Sequence, residues 1–328
     1  MSSEVSSGNT STAAAIFRQS SPIFIFAGIF ILMSLASPYF FAWNNFMNVL
    51  RQSAVIGILA MGQALVIMTA GIDLSVGSMM TLSGCIIGTS STAWGFPPLL
   101  AVLAGVAAAV VVGMINGFLT TKVRLYDFIA TLGTKTAIDG ISLLITDGLP
   151  VSKIPPVITF IGGKTIGPGV PIASTVFLTI AIIAIILLGY TTFGRNVLAI
   201  GGNAEAARVS GVNITKTKIM AMSFCGLCSG IAGIVIVGRL NSANALMGTN
   251  MELNSIAAVV IGGTSINGGQ GTMFGTIIGV LTMGVLQNGL DLLNISSFWQ
   301  KFILGLVIIA VVTLDTYRRK KMDSDRRQ

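Results

Sequence analysis

The sequence predicts an all-α polytopic membrane protein of about ten transmembrane helices, with N- and C-termini cytoplasmic. Three observations carry this reading. Of 328 residues, 53% are hydrophobic and only 9% charged, where a soluble domain carries about 25% charged residues; mean hydropathy is +0.87. Apolar runs separated by short polar segments recur from one end of the chain to the other. Thirteen of the nineteen Lys and Arg fall in segments assigned to one face of the membrane, as the positive-inside rule requires. The net charge of +8 therefore reports topology. The cations neither line one helix face nor alternate with aromatics, so no nucleic-acid partner is expected, and membrane lipid is the expected surrounding.

Residues 1–17 are rich in Ser, Thr and Ala with one acid, too apolar-poor to bury a core, and disorder is expected there. They lack the basic start of a signal peptide. Span one runs from Pro22 to Leu35, extending toward Phe41, and an amphipathic stretch from Trp43 to Arg51 is expected to lie at the outer interface. Span two covers Ala54 to Ala70 and leads into Gly71-Ile-Asp-Leu-Ser-Val-Gly77; a third apolar run, Met79 to Ile87, ends at the polar stretch Ser90 to Gly95. Span four is Pro98 to Leu119, and Lys122 and Arg124 mark the inner loop after it. Span five, Phe128 to Ile145, is unusually polar, with Thr131, Thr134, Lys135, Thr136 and Asp139. The outer segment Asp147 to Pro171 is Gly- and Pro-rich and is not expected to be regular helix. Span six is Ile172 to Leu188 and span seven Ile219 to Val237. An outer loop, Asn241 to Met251, precedes span eight, which starts near Leu253 and breaks at the glycine-rich run Gly262 to Gly271. Spans nine and ten are Met273 to Leu286 and Trp299 to Leu314, and a basic tail, Tyr317 to Gln328, is expected to be cytoplasmic.

Between spans six and seven lies the longest polar interruption, Thr191 to Lys218, with Arg195, Arg208, Lys216 and Lys218 against one acid, Glu205. A short helix is legible inside it. Asn203 is an N-cap, Glu205 stands in the first turn where the helix dipole favours an anion, and Gly211 ends the helix. About two turns cannot hold as a helix alone in water, so a partner surface is expected.

Several chemistries are excluded. The chain has no histidine, which removes imidazole acid–base work and His metal ligation. Cys225-Gly-Leu-Cys228 lies inside a span, where burial disfavours the thiolate; no metal is expected. Ile161-Gly-Gly-Lys-Thr165 resembles part of a phosphate loop, but the required first glycine is Ile158 and no βαβ context surrounds it. The chain is expected to bind no cofactor; if ATP drives it, hydrolysis occurs on another polypeptide.

The polar residues within the apolar part are the candidates for a pathway: Gln63, Thr69, Asp73, Ser75, Asn116 and Asn254. A carboxylate between apolar runs is costly near lipid, so Asp73 faces a polar interior, or else it caps the following helix at the surface. Gln63, Thr69, Asn116 and Asn254 either glue helices together or line a path. Glycines four apart (Gly113 with Gly117, Gly226 with Gly230, Gly275 with Gly279) predict close helix packing. Setting Gly71 against Gly262 also aligns Gly77 with Gly268, Thr81 with Thr272 and Gly84 with Gly275. That faint repeat places a glycine break after a span in each half, where transporter sites form.

Gly62-Gln63-Ala64 with Thr69 to Gly77, Asp147-Gly-Leu-Pro-Val151, Thr192-Phe-Gly-Arg195, Ala199-Ile-Gly-Gly-Asn203, Ala206 to Val212 and Gly262-Gly-Thr-Ser265 together resemble the permease subunits of bacterial ABC importers for ribose, arabinose, xylose and related sugars. The motifs occur in family order from span one to span ten. The resemblance implies one transmembrane permease domain, 18–316, between the N-terminal segment 1–17 and the tail 317–328, sited in the bacterial inner membrane. It implies three partners: a cytoplasmic ABC ATPase subunit, a periplasmic or extracellular sugar-binding protein, and a second permease copy or sister permease. Gly194, Arg195, Gly202, Asn203, Glu205, Ala206, Ala207, Arg208 and Gly211 would then couple loop 191–218 to the ATPase. Ala204 and Ala207 would leave a low surface for approach, and Arg208 would pair with a carboxylate of the partner. The rivals are a permease for branched-chain amino acids or another small polar solute, and an ion-coupled carrier using Asp73 and Lys135.

Overall fold

A computed structural model describes residues 8–307, 309–310 and 313, with side chains described from residue 22 onward. Its elements are helices α1 (Gly8–Ala36), α2 (Trp43–Met68), α3 (Val76–Thr92), α4 (Pro98–Thr121), α5 (Asp127–Thr146), α6 (Pro156–Gly163), α7 (Ile172–Tyr190), α8 (Thr192–Gly202), α9 (Ala204–Val209), α10 (Ile214–Leu240), α11 (Met251–Ile261) and α12 (Met273–Leu292). Residues 297–307 are also helical and are called α13. Four two-residue strands, β1 (Val151–Ser152), β2 (Thr165–Ile166), β3 (Val170–Pro171) and β4 (Ser242–Ala243), pair antiparallel as β1 with β4 and β2 with β3.

Among the described residues, six helices are long and apolar enough to cross a membrane: α2, α4, α5, α7, α10 and α12. The chain is a largely helical membrane protein. Its centre is α2, packed by α10, α12, α7 and α11 and buried along nearly its whole length after Ser53. Apolar association gains little in lipid, so close backbone approach has to hold the bundle. Glycines provide it. A Cβ on Gly117 of α4 would stand 2.7 Å from the Ile219 Cα of α10, and one on Gly230 of α10 would stand 2.9 Å from the Val106 Cα of α4. Gly275 and Gly279 of α12 meet the Gly262 and Ala258 carbonyls at the end of α11 in the same way. All three glycine pairs are packing positions.

Several expectations are corrected. Helix α1 begins at Gly8, inside the stretch expected to be disordered, because the alanines at 13–15 continue the helix backward. Trp43 to Arg51 is the first part of α2 and not a separate interfacial element; Asn45 is buried there, donating to the Phe40 carbonyl at 2.9 Å and accepting from Asn288 of α12 at 2.8 Å. The outer segment holds a real helix, α6, which starts at paired prolines where a fixed φ favours a first turn and packs on α10. Loop 191–218 holds two helices, α8 and α9, and the first residues of α10, whose N-cap Asn213 accepts from Lys216 N–H at 2.9 Å.

The segment after α10 also differs from expectation. The sequence predicts an outer loop, Asn241 to Met251, and a span from near Leu253 that breaks at Gly262 to Gly271. In the structure, residues 244–250 fold back into the bundle, where Gly248 lies against the Gly77 backbone at the start of α3. The two glycines make that approach possible, since a side chain at either would strike the other's carbonyl. Helix α11 is then only 11 residues, about 16 Å, which is half a bilayer core. The basic tail 317–328 lies outside the described residues.

Candidate functional site

Two polar centres and one exposed loop are positioned by this framework. The first centre lies at the break between α2 and α3. Asp73 is fully buried, and its Oδ1 accepts from the Ser75 backbone N–H at 2.8 Å and the Ser75 hydroxyl at 2.6 Å. Ser75 in turn accepts from Asn116 Nδ2 of α4 at 2.8 Å. The Leu74 N–H is taken by Thr131 Oγ1 at 3.1 Å, which fixes α5 against the break. Three sequence candidates, Asp73, Ser75 and Asn116, thus form one hydrogen-bonded chain. Gln63 is buried on α2, where its Oε1 accepts from the Cys225 thiol at 3.8 Å. Thr69 turns its hydroxyl to the Val66 carbonyl at 2.8 Å, closing the end of α2. Asn254 lies apart on α11, half-buried. Asp73 Oδ2, Asn116 Oδ1 and Gln63 Nε2 are buried without a hydrogen-bond partner among the described residues, so this centre holds polar capacity that those residues do not satisfy.

The second centre joins Lys135, named from the sequence only for the ion-coupled carrier, to partners that the sequence did not indicate. Lys135 of α5 forms an ion pair with Glu252 in the first turn of α11, with 27% and 4% of the side chains exposed. Asp139, one turn further along α5, and Ser78 and Thr81 of α3 face the same cleft. The available signal was the spacing of Lys135 and Asp139, which puts both on one face of a spanning helix; Glu252, 117 residues from Lys135 in the chain, carried no such signal.

The exposed loop carries α9. Asn203 accepts from the Ala206 N–H at 2.9 Å, and Gly211 takes φ +83° after the last turn. Arg208 Nε donates to Glu205 Oε2 at 3.0 Å, and this fully exposed pair holds the Glu205 carboxyl below the usual carboxylate range. Ala207 is buried at 5% exposure, so it faces the protein and leaves no free surface for a partner. Val209, 76% exposed, is the apolar residue that the helix presents outward and that the sequence reading passed over. A cleft of about 450 Å³ lies beside α9, lined by Thr120, Thr121, Arg208 and Lys218 among others. Gly194 is buried at the start of α8, Arg195 is exposed beside it, and Gly202, Ala206 and Gly211 are exposed.

Glycine-broken helices with polar groups buried at the breaks are the way membrane transporters build their sites. The model of the family described as branched-chain amino acid transport system / permease component matches residues 45–312, and the chain belongs to that family. It is a transport subunit of a multi-pass membrane protein class and not an enzyme. The chain is 43% identical over 300 residues to the ribose import permease protein of Bacillus subtilis (strain 168), covering 90% of this chain and 92% of that protein. It is 40% identical over 311 residues to the ribose import permease protein of Escherichia coli (strain K12), covering 94% and 96%. It is 33% identical over 339 residues to the xylose transport system permease protein of Haemophilus influenzae (strain ATCC 51907 / DSM 11121 / KW20 / Rd), covering 85% and 90%. No solved structure matches.

Proposed function

We propose that the chain is the membrane-spanning permease of an ATP-driven, binding-protein-dependent importer that moves a monosaccharide by alternating access. The similarity to ribose and xylose permeases over nearly the whole chain carries this reading. The family description names branched-chain amino acids, but the similar proteins are named for ribose, xylose and allose, and these favour a sugar.

In this reading a sugar-binding protein delivers the solute from outside, and a cytoplasmic ATPase supplies the work, ATP being held by that subunit alone. The loop of α8 and α9 meets the ATPase through Arg195, Gly202, Asn203, Glu205, Ala206, Arg208 and Gly211, with Val209 as an added apolar contact, while the buried Gly194 seats the start of α8 against the end of α7. Ala207 supports α9 from beneath. About ten spans in an inner membrane, with both termini cytoplasmic, fit the distribution of cations. A second copy or a sister permease completes the pathway within the lipid. Domain limits of 18–316, with flanking segments 1–17 and 317–328, go with this reading. Gln63, Thr69, Asp73, Ser75, Asn116 and Asn254 are kept as positions along or beside the path; Asp73, Ser75 and Asn116 form one hydrogen-bonded unit at the α2–α3 break.

The test is reconstitution in liposomes with the ATPase and binding protein. Ribose uptake that needs both partners and ATP is expected. Uptake by the chain alone, driven by a proton or sodium gradient, would overturn the proposal in favour of a carrier.

A further inference from the structure

Lys135 and Asp139 stand in the middle of α5, where contact with lipid is untenable for a charge. The helix is 20 residues long, about 30 Å, and the two side chains lie about 12 and about 18 Å along it. Both are half-buried. Asp139 takes no hydrogen bond or ion pair among the described residues, while Lys135 is held by Glu252. Ionisable groups at such depth are kept where they face a water-filled cavity or a pathway.

They face a cleft of about 110 Å³ between α3, α5 and the inward-folded segment 244–250, lined also by Ser78, Thr81, Thr249 and the apolar Leu143 and Leu246. Thr81 and Thr249 donate their hydroxyls to the Gly77 and Leu246 carbonyls at 3.0 and 2.7 Å, so their oxygens remain as acceptors. Ser78 has no side-chain partner among the described residues. An ammonium has three N–H groups; Glu252 Oε1 engages one, which leaves two for the cleft. The cleft thus offers one free carboxylate, two ammonium protons and one free hydroxyl beside leucine side chains. Vicinal hydroxyls of a small polyol would donate to Asp139 and accept from Lys135, and its C–H face would rest on Leu143 and Leu246. A zwitterion fits less well, because its ammonium could pair with Asp139 but its carboxylate would find the Lys135 charge already neutralised by Glu252.

We infer that this cleft is the station at which the sugar is held in passage, with Lys135, Asp139 and Ser78 binding its hydroxyls and Glu252 positioning Lys135. The inference rests on the importer reading.

The test uses the complete importer in liposomes, with labelled D-ribose delivered by the binding protein. Asp139→Asn and Ser78→Ala are each expected to lower ribose uptake about tenfold, while stimulation of ATP hydrolysis by the loaded binding protein persists. Glu252→Gln is expected to shift the preference among ribose, xylose and allose, a readout that a merely structural residue would not move. Wild-type uptake with unchanged rate and preference in Asp139→Asn and Ser78→Ala would overturn the inference and leave the importer reading intact. Absence of sugar uptake by the wild-type importer, with uptake of leucine in its place, would overturn both.

Discussion

The backbone N–H of Gly269 donates to the Met68 carbonyl at 3.0 Å, tying the glycine-rich break after α11 to the end of α2. Gly201, near the end of α8, packs against both the Met68 carbonyl and the Gly269 N–H. The helix that precedes α9 therefore touches the two broken elements where they meet. A push on α9 has a short, packed route to both breaks.

Gly201→Ala puts a methyl group against two backbones, which cannot yield as a flexible side chain would. Gly269→Ala meets Gly202 N at 2.6 Å and needs φ +70°, which costs about 1 kcal/mol or more without a glycine. Both variants are expected to lose most ATP-driven uptake while still binding the ATPase. Gly202→Ala, whose Cβ would meet nothing within 4 Å, is expected to retain uptake in the same assay unless the partner itself occupies that space.

Docking should depend on the outward residues of α9. Val209→Asp and Arg208→Glu are expected to abolish co-purification with the ATPase. Ala207→Trp is a poorer probe, since Ala207 is buried and its carbonyl accepts from the Val212 N–H at 3.0 Å; it is expected to disorder the loop, visible as faster proteolysis there. Unchanged co-purification in Val209→Asp and Arg208→Glu would count against the docking role.

The cap of α9 can be removed separately. Asn203→Ala deletes the acceptor for Ala206 N–H and should cost about 1 kcal/mol of helix stability. ATPase affinity is expected to fall about fivefold, the factor that such an energy allows, and Asn203→Asp should restore it. Equal affinity in Asn203→Ala would show that the partner does not read the helical form.

The Glu205–Arg208 pair has a defined pH response. Arg208 lowers the Glu205 carboxyl from its usual value, so the pair's contribution is present above the unfolded carboxylate value, about 4.3, and is lost only as pH falls through the lowered value. Between about pH 8 and about pH 6, ATPase binding should show no change arising from this pair, measurable by comparing wild type with Glu205→Gln across that range.

The helix contacts make a final prediction. Gly226→Val forces a branched side chain against Ala109 and Val110 of α4 and should cost about 1–3 kcal/mol or more, seen as lower yield and a lower unfolding temperature in detergent. Gly133→Val on α5, where a Cβ would meet nothing within 4 Å, should leave the unfolding temperature unchanged.

By itself, the sequence determined the class and the local devices. Hydropathy named the six helices long and apolar enough to cross a membrane among the described residues, glycine spacing marked faces for close packing without saying which helices would meet, and Asn203 to Gly211 was legible as a capped helix because a cap acts over three residues. The tertiary structure decided which distant groups meet. Lys135 and Glu252 are 117 residues apart, and Gly248 reaches Gly77 only because the chain folds back after α10. Ala207 turned inward, and Trp43 to Arg51 joined α2, because their neighbouring elements supplied surfaces to pack against. Periodicity reports which face of a helix is apolar; it carries no record of what that face will touch.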